Sequence, residues 1–168
     1  MGHKEHRHGA PVCVSVAILT VSTTRSLADD QSGHWMAGSA GDEGHQVVAH
    51  EVVTDQIDAI REAFTRIVTE KSPQAVIVTG GTGITPLDVT IEAVKPLFAK
   101  ELTAFGILFT QLSFDEIGSA ALLSRASAGV FGDSVVFCIP GSLNACKLAC
   151  KKLILPELGH LVRHATGS

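Results

Sequence analysis

The chain has 168 residues, of which 45% are hydrophobic and 18% are charged, and its formal net charge is −4. A chain of this length buries about 70% of its unfolded surface, which is enough for one core without disulfides or structural metals. The acidic balance and the 5% aromatic content argue against nucleic acid as a partner. No apolar run approaches the ~20 residues that a membrane span needs, so we expect no membrane segment.

The amino-terminal residues and the cysteines indicate the domain boundary and the cellular location. Residues 1–10 carry three histidines, and we expect a flexible, His-rich tail there, followed by a single domain over residues 11–168. The cysteines lie in apolar strand-like or helical segments, where cysteine usually behaves as a small buried hydrophobe. They are Cys13, Cys138, Cys146 and Cys150. Four free thiols favour a reducing, cytoplasmic location.

Hydrophobic periodicity predicts strands that alternate with helices along nearly the whole chain. The predicted strands are residues 12–21, 46–53, 75–79, 129–131 and 135–139. The predicted helices are residues 31–43, a segment from residue 57, residues 88–98, 105–112 and 113–125, and a long last helix interrupted by Pro156. This alternation favours an α/β fold, a three-layer α/β/α sandwich with a mostly parallel central sheet.

Several predicted helix starts carry residues suited to that position. Thr54 or Asp55 is placed to cap the helix that begins near residue 57. Ser113 and Glu116 have the spacing of a capping box, which predicts that a new helix begins at Ser113. Thr85-Pro86 indicates a helix start after the glycine-rich segment, because proline suits the first helical position.

Three loops that follow predicted strands carry residues suited to a ligand. In open α/β sheets, ligands bind outside the carboxyl ends of the strands. The loops contain Thr20 and Ser22 with Asp29 and Asp30 downstream, then Gly80-Gly81-Thr82-Gly83, and finally Pro140-Gly141-Ser142. Ser142 also suits the cap of the last helix.

The glycine loop matches neither of two familiar phosphate-binding patterns. No lysine follows it as in a P-loop, and Pro86 occupies the position of the third glycine of the dinucleotide fingerprint. Glycines nevertheless let backbone amides approach an anion, and unpaired amides at a helix start favour negative charge. The loop therefore suits a phosphate, although a plain strand-to-helix turn explains its spacing equally well.

Two carboxylates stand near these loops. Asp88 follows the glycine loop, and Asp55 follows the second predicted strand. A carboxylate beside bound phosphates repels them unless a cation lies between, and magnesium is typically held by one or two carboxylates plus substrate phosphates. The alternatives are stabilisation of a helix dipole by Asp88 and helix capping by Asp55.

The histidines give a weaker signal. His34, His45 and His50 lack a partner at convincing spacing. His160 and His164 are four residues apart on a predicted helix, but two histidines do not complete a metal site. We interpret them as a solvated helix face.

Taken together, these segments resemble the MoaB/Mog molybdopterin-binding proteins of molybdenum cofactor biosynthesis, and the MoaB branch more than the Mog branch. The resemblance covers residues 12–161. It depends on AILTVS (17–22), DDQSG (29–33), VTGGTG (78–83) with Asp88, SFDEIGSA (113–120), LLSRA (122–126) and IPGS (139–142).

The resemblance implies the three-layer fold, assembly into homotrimers or hexamers, and a molybdopterin-binding crevice formed by the loops above. It implies that Mg-ATP adenylylates the terminal phosphate of molybdopterin, and that a molybdenum-insertion enzyme takes the product. Asp55 and Asp88 would be the catalytic, magnesium-binding acids. The residues implied to bind substrate are Thr20, Ser22, Gly80, Gly81, Thr82, Gly83, Ser113, Pro140, Gly141 and Ser142.

Two other functions stay open. Relatives often carry a polar or basic residue just before the acid that matches Asp88, whereas this chain has Leu87. That difference favours a non-catalytic molybdopterin carrier or scaffold as the alternative. Because related domains occur in enzymes that cleave ADP-ribose or nicotinamide nucleotides, a nucleotide-cleaving enzyme is the third hypothesis, against which the SFDEIG segment argues.

Overall fold

The computed structural model describes residues 13–167, so the predicted tail over residues 1–10 lies outside the described residues. Six strands form one sheet: β1 Ser15–Val21, β2 Gln46–Val53, β3 Ala75–Thr79, β4 Lys100–Glu101, β5 Ser127–Phe131 and β6 Ser134–Ile139. The predicted bounds of β2 and β3 are confirmed. The two-residue edge strand β4 is too short to produce a periodic pattern and was missed.

Helices alternate with these strands. They are α1 Gln31–Asp42, α2 Ile57–Lys71, α3 Thr90–Val94, α4 Thr103–Ile117, α5 Leu143–Ala149 and α6 Leu158–Thr166. Short 3-10 segments occupy Leu27–Asp29, Lys95–Leu97, Gly118–Leu123 and Leu155–Glu157, and a π-helical turn occupies Cys150–Ile154. The last helix is interrupted near Pro156 as predicted, because proline cannot donate the next helical hydrogen bond.

The sheet is mostly parallel, as predicted. Its strand order is β2-β1-β3-β6-β5-β4. β1 pairs in parallel with β2 and β3, and β3 pairs in parallel with β6. β5 is antiparallel to both β6 and β4, and the Gly132-Asp133 turn joins β5 to β6 as predicted. β2 lies on one side of β1, and β3 lies on the other side. The strand order therefore reverses at β1, and α/β sheets bind ligands at such switch points.

Two separate cores cover the two faces of the sheet, so the three-layer sandwich is confirmed. Alternate residues of β1 point to opposite faces: Val16 and Ile18 belong to one core, and Ala17, Leu19 and Val21 to the other. The first core includes residues of α1, α4, α5 and α6. The second includes residues of α2 and α3.

Two predicted helix starts and one predicted helix cap are wrong, whereas α2 begins at Ile57 as predicted. Residues 83–87 form turns and bends, and α3 begins only at Thr90, so Thr85-Pro86 does not start it. The residue before α2 is Gln56, and no side chain caps this helix, since Asp55 bonds elsewhere. Ser113 lies inside the continuous helix α4 and is buried, so no capping box forms there. The apolar residues before Ser113 continue the same helix, which ends only where Gly118 adopts a φ of 61°.

The cysteine prediction is confirmed at three positions and wrong at one. Cys138, Cys146 and Cys150 are buried, whereas Cys13 is exposed before β1 begins. Burial raises the pKa of Cys138 and of Cys150 to about 12, so both stay protonated and pack as small hydrophobes. Within residues 13–167, no helix is long and apolar enough to cross a membrane.

Candidate active site

Three loops converge on one cleft at the carboxyl ends of β1, β3 and β6. The cleft has a volume of about 640 Å³. It is lined by Val21, Ser22, Thr23, Thr24, Arg25, Asp55, Gln56, Gly80, Gly81, Leu87, Asp88 and Gly141. The predicted site residues that it brings together are Ser22, Asp55, Gly80, Gly81, Asp88 and Gly141.

Backbone segments from the three strands pack directly against one another at the base of this cleft. Gly80 has a φ of 93°, and a β-carbon built there would lie 2.3 Å from the carbonyl oxygen of Val21. A β-carbon on Gly141 would lie 2.9 Å from the Cα of Gly80. Only glycine permits this close packing at Gly80, so backbone rather than side chains forms this part of the cleft floor.

Asp55 stands at one end of the glycine loop. Its Oδ2 accepts a hydrogen bond of 2.6 Å from the Thr23 hydroxyl, which joins the loops after β1 and β2. Its Oδ1 lies 3.3 Å from the position that a β-carbon of Gly81 would take. The carboxylate therefore faces the glycine loop across the cleft.

Asp88 stands at the other end of the same loop. Its Oδ2 accepts hydrogen bonds from the Thr85 amide at 2.8 Å and the Thr85 hydroxyl at 2.7 Å. Partial burial raises the pKa of Asp88, but these bonds, a backbone contact at Gly83 and the charge of Arg125 outweigh it and lower the pKa below the ordinary value. Asp88 is therefore ionised at neutral pH and held in one orientation.

Arg125 clamps the glycine loop from outside the cleft lining. Its Nε donates to the carbonyl oxygens of Thr82 at 3.0 Å and Gly83 at 2.9 Å, and its Nη2 donates to that of Asp88 at 3.3 Å. Its Nη1 lies 2.6 Å from a carboxylate oxygen of Glu92. The sequence analysis missed this role, although Arg125 belongs to the LLSRA segment, because the partners are 33 or more residues away.

Arg25 is the second residue that the sequence analysis missed. The Ser22 hydroxyl accepts hydrogen bonds from the amides of Thr24 and Arg25, which folds the loop after β1 into a turn. The exposed guanidinium then reaches the carbonyl oxygen of Gly141 at 3.2 Å. Arg25 thus contributes a positive charge to a cleft lining that also contains the carboxylates of Asp55 and Asp88.

Thr20 lies below the cleft, in a buried network centred on Asp30. The fully buried carboxylate of Asp30 accepts hydrogen bonds from Thr20 Oγ1 at 2.6 Å and the Gly33 amide at 3.0 Å, and it lies 2.8 Å from His50 Nε2. His34 Nδ1 also lies 2.8 Å from the Asp30 carbonyl oxygen. The expectation that His34 and His50 lack partners is therefore wrong.

The same expectation is wrong for His45, whose Nδ1 accepts a hydrogen bond of 3.2 Å from the Val14 amide. These contacts join residues that are far apart in the sequence, so spacing alone gave no sign of them.

For Asp30, burial raises the pKa, but the bonds from Thr20, His50 and Gly33 outweigh it and lower the pKa.

The other predicted site residues do not line the cleft. Thr82 is buried in the glycine loop, Gly83 adjoins Asp88, and Pro140 accepts a hydrogen bond from Thr79 through its carbonyl. Ser142 caps α5 by accepting a bond of 3.2 Å from the Ala145 amide, as predicted. Ser113 lies on α4 and does not line the cleft.

The arrangement suits an anionic ligand with a divalent cation. The half-buried backbone of Gly81 and the exposed Arg25 guanidinium can contact an anion, and Asp55 and Asp88 flank the loop on two sides. Within the described part of the chain, no group of three or more acidic, histidine or cysteine residues is placed to hold a metal. Two carboxylates do fit magnesium that also binds ligand phosphates and water.

Comparison with known proteins identifies relatives over almost the whole chain. A family model described as "Probable molybdopterin binding domain" matches residues 17–160. The chain is 47% identical over 164 residues to a Bacillus subtilis protein named "Molybdenum cofactor biosynthesis protein B", covering 97% of this chain and 96% of that protein.

Two solved structures share the fold. One, described as a crystal structure of "Molybdenum cofactor biosynthesis protein B", is 44% identical with a TM-score of 0.90, covering 95% of this chain and 99% of the other. The other, a "tungsten cofactor synthesizing protein MoaB from Pyrococcus furiosus", is 35% identical with a TM-score of 0.85, covering 94% of this chain and 99% of its own.

Proposed function

Since the chain belongs to the MoaB/Mog family of probable molybdopterin binding domains, we propose that it acts in molybdenum cofactor biosynthesis as a molybdopterin adenylyltransferase. In this proposal it binds molybdopterin in the cleft and adenylylates the terminal phosphate with Mg-ATP. The observation that carries the proposal is the convergence of the three loops with Asp55 and Asp88 on one cleft.

The proposed reaction is an in-line phosphoryl substitution. An oxygen of the molybdopterin phosphate attacks the α-phosphorus of ATP, a new P–O–P bond forms, and the bond to the β-phosphate breaks to release pyrophosphate. A phosphate monoester is already ionised near neutral pH, so the reaction needs no strong base. This agrees with a cleft lining that has neither histidine nor cysteine.

The side chains of this chain would position and neutralise the reacting groups. The Gly81 backbone and the Arg25 guanidinium would contact phosphate oxygens, and Asp55 and Asp88 would hold magnesium. Magnesium, when bound, neutralises charge on the phosphates. Thr23 and Thr85 orient the two carboxylates through the hydrogen bonds described above, so catalysis comes from positioning and electrostatics.

The direct test is incubation of the purified chain with molybdopterin, ATP and magnesium, followed by mass spectrometry for adenylylated molybdopterin and an assay for pyrophosphate. The proposal predicts both products in equal amounts. Molybdopterin binding with no adenylylated product, across a range of ATP and magnesium concentrations, would contradict it and support the carrier function.

The carrier or scaffold is the second candidate, because Leu87 presents an exposed apolar side chain to the cleft. This residue lines the site beside Asp88 and is 68% exposed. A leucine there contributes no charge to nucleotide phosphates. A carrier of this kind would deliver molybdopterin, whereas the enzyme would deliver adenylylated molybdopterin to a molybdenum-insertion enzyme. The free thiols of the described cysteines support our proposal of a cytoplasmic location for either function.

We further propose assembly into a homotrimer or hexamer through one apolar surface. This surface comprises exposed side chains of α4 and the following 3-10 segment: Ile107, Leu108, Phe114, Ile117, Leu122 and Leu123. Several large exposed apolar side chains in one segment are typical of a protein interface. Sedimentation should show an oligomer that Leu122→Glu disrupts and that the control Leu27→Glu, an exposed leucine elsewhere, leaves intact. A monomeric wild-type chain would contradict the proposal.

A further inference from the structure

Two histidines of α6 approach each other closely at a distance from the cleft. The Nε2 atoms of His160 and His164 are 2.8 Å apart, and the rings meet with an interplanar angle of 63°. The spacing of four residues places both side chains on one helix face. His164 is exposed and lines a groove that Val135, near the amino end of β6, also lines. The cleft, in contrast, lies at the carboxyl end of β6.

The distance between the two nitrogens matches a particular kind of chelate. With metal–nitrogen bonds of about 2.0–2.1 Å, two imidazoles at right angles around a metal place their nitrogens about 2.9 Å apart. A tetrahedral metal requires about 3.3 Å. The observed separation thus fits adjacent positions of a square or tetragonal ion, the geometry that Cu²⁺ and Ni²⁺ adopt with nitrogen ligands.

A carboxylate is placed where metal-bound histidines commonly have one. His160 Nδ1 lies 3.3 Å from Glu157 Oε2, with both residues on the same side of the helix. Donation of the Nδ1 proton to a carboxylate leaves Nε2 with a lone pair, and metal-ligating histidines almost always make such a bond. The contact therefore favours the tautomer of His160 in which Nε2 is unprotonated and can bind a cation.

We propose that His160 and His164 form a bidentate site for a tetragonal divalent metal, with Cu²⁺ as the best fit and Glu157 as the positioning residue. Affinity for Cu²⁺ is also the highest among divalent first-row metals at a nitrogen site. Within residues 13–167, no third histidine, cysteine or acid completes the site. Water fills the remaining positions, so the metal exchanges readily.

The test is copper titration of the full chain by calorimetry, with electron paramagnetic resonance of the bound ion. The tail histidines would compete, so every protein in the series carries asparagine at His3, His6 and His8. The proposal predicts one copper per chain with two imidazole nitrogens in its spectrum. His160→Gln and His164→Gln should each weaken binding about 100-fold, because either one removes the chelate.

Two further variants separate the site from nonspecific binding. Glu157→Gln should weaken binding about tenfold by releasing the His160 ring, while His45→Gln, which removes a histidine elsewhere, should leave it unchanged. If the two α6 variants bind copper as the parent does, or the spectrum shows a single imidazole nitrogen, the proposal is overturned and the pair is only a hydrogen-bonded contact on the helix surface.

Discussion

Asp30 and Asp88 lie at the same edge of the sheet, but their surroundings differ completely. Asp30 is fully buried, and the protein supplies its partners: Thr20, Gly33 and His50. Asp88 has Thr85 as a partner on one side and lines an open cleft on the other. Both carboxylates have a lowered pKa. A lowered pKa thus marks a well-bonded carboxylate, and it is the open side of Asp88 that makes this residue a candidate ligand contact.

The largest expected effect is on stability at Asp30. Asp30→Asn leaves buried donors of Thr20 and His50 without their acceptor, so we expect a loss of about 3 kcal/mol in the free energy of unfolding. Chemical denaturation measures this. The control Asp29→Asn, at the exposed neighbouring acid, should cost less than about 1 kcal/mol. Equal losses in the two variants would show that the buried network contributes little.

The complementary prediction is a loss of turnover without a loss of stability at Asp88. Asp88→Asn should lower pyrophosphate release about 100-fold or more, since the charge that holds magnesium is gone, while molybdopterin still binds. Asp133→Asn, at the exposed β5–β6 turn, is the matched control and should keep full turnover. Unchanged turnover in Asp88→Asn would remove Asp88 from the mechanism.

Gly80 tests the floor of the cleft. Gly80→Ala forces a β-carbon toward the Val21 carbonyl at a φ of 93°, so we expect a stability loss of about 2 kcal/mol and weaker molybdopterin binding. The control Gly132→Ala distinguishes the cost of a positive φ from the cost of a steric clash. Gly132 also has a positive φ, 57°, but a β-carbon built there would have no neighbour within 4 Å. That control should lose only about 1 kcal/mol and keep its ligand affinity.

Acid titration sharpens the comparison further. The pKa of Asp30 is lower in the folded chain than in the unfolded one. The contribution of ionised Asp30 to the free energy of unfolding is therefore fully present above about pH 4, and it is lost as the pH falls through the lowered pKa. Urea midpoints measured from pH 6 to pH 2 should therefore fall more steeply for the wild type than for Asp30→Asn. Parallel curves would mean that Asp30 has the same pKa in both states.

The smallest expected effect concerns Leu87. Leu87→Lys adds a cation to the cleft wall, so ATP affinity should rise by about 1 kcal/mol, or roughly fivefold, as measured by calorimetry. Ile84→Lys, on the same loop but outside the cleft lining, controls for net charge. If both lysines raise the affinity equally, the effect is long-range attraction rather than contact with phosphates.

The sequence predicted the sheet better than the helix caps, for a physical reason. β2 and β3 follow from local apolar runs, and their bounds are correct. Capping depends on which partner a side chain finds after folding. Asp55 bonds Thr23, which is 32 residues away, instead of capping α2, and this choice is invisible in the local sequence.

The site shows the same limit. Glycines and acids at strand ends correctly indicated where a cleft would form, because parallel strands end at one edge. Thr20 looked equally suitable as a ligand residue, but its hydroxyl is bonded to Asp30 in the interior. Arg25 and Arg125 were missed because each contacts backbone carbonyls at least 37 residues distant, and carbonyls leave no mark in the sequence.

The arginine clamp beneath the glycine loop has a consequence for affinity. Loops that must become ordered when a ligand arrives lose binding free energy to that ordering. Here the carbonyls of Thr82, Gly83 and Asp88 are already fixed by Arg125 when the chain folds. A phosphorylated ligand of the kind proposed would therefore freeze little additional backbone motion on binding, and more of its interaction energy would be retained as affinity.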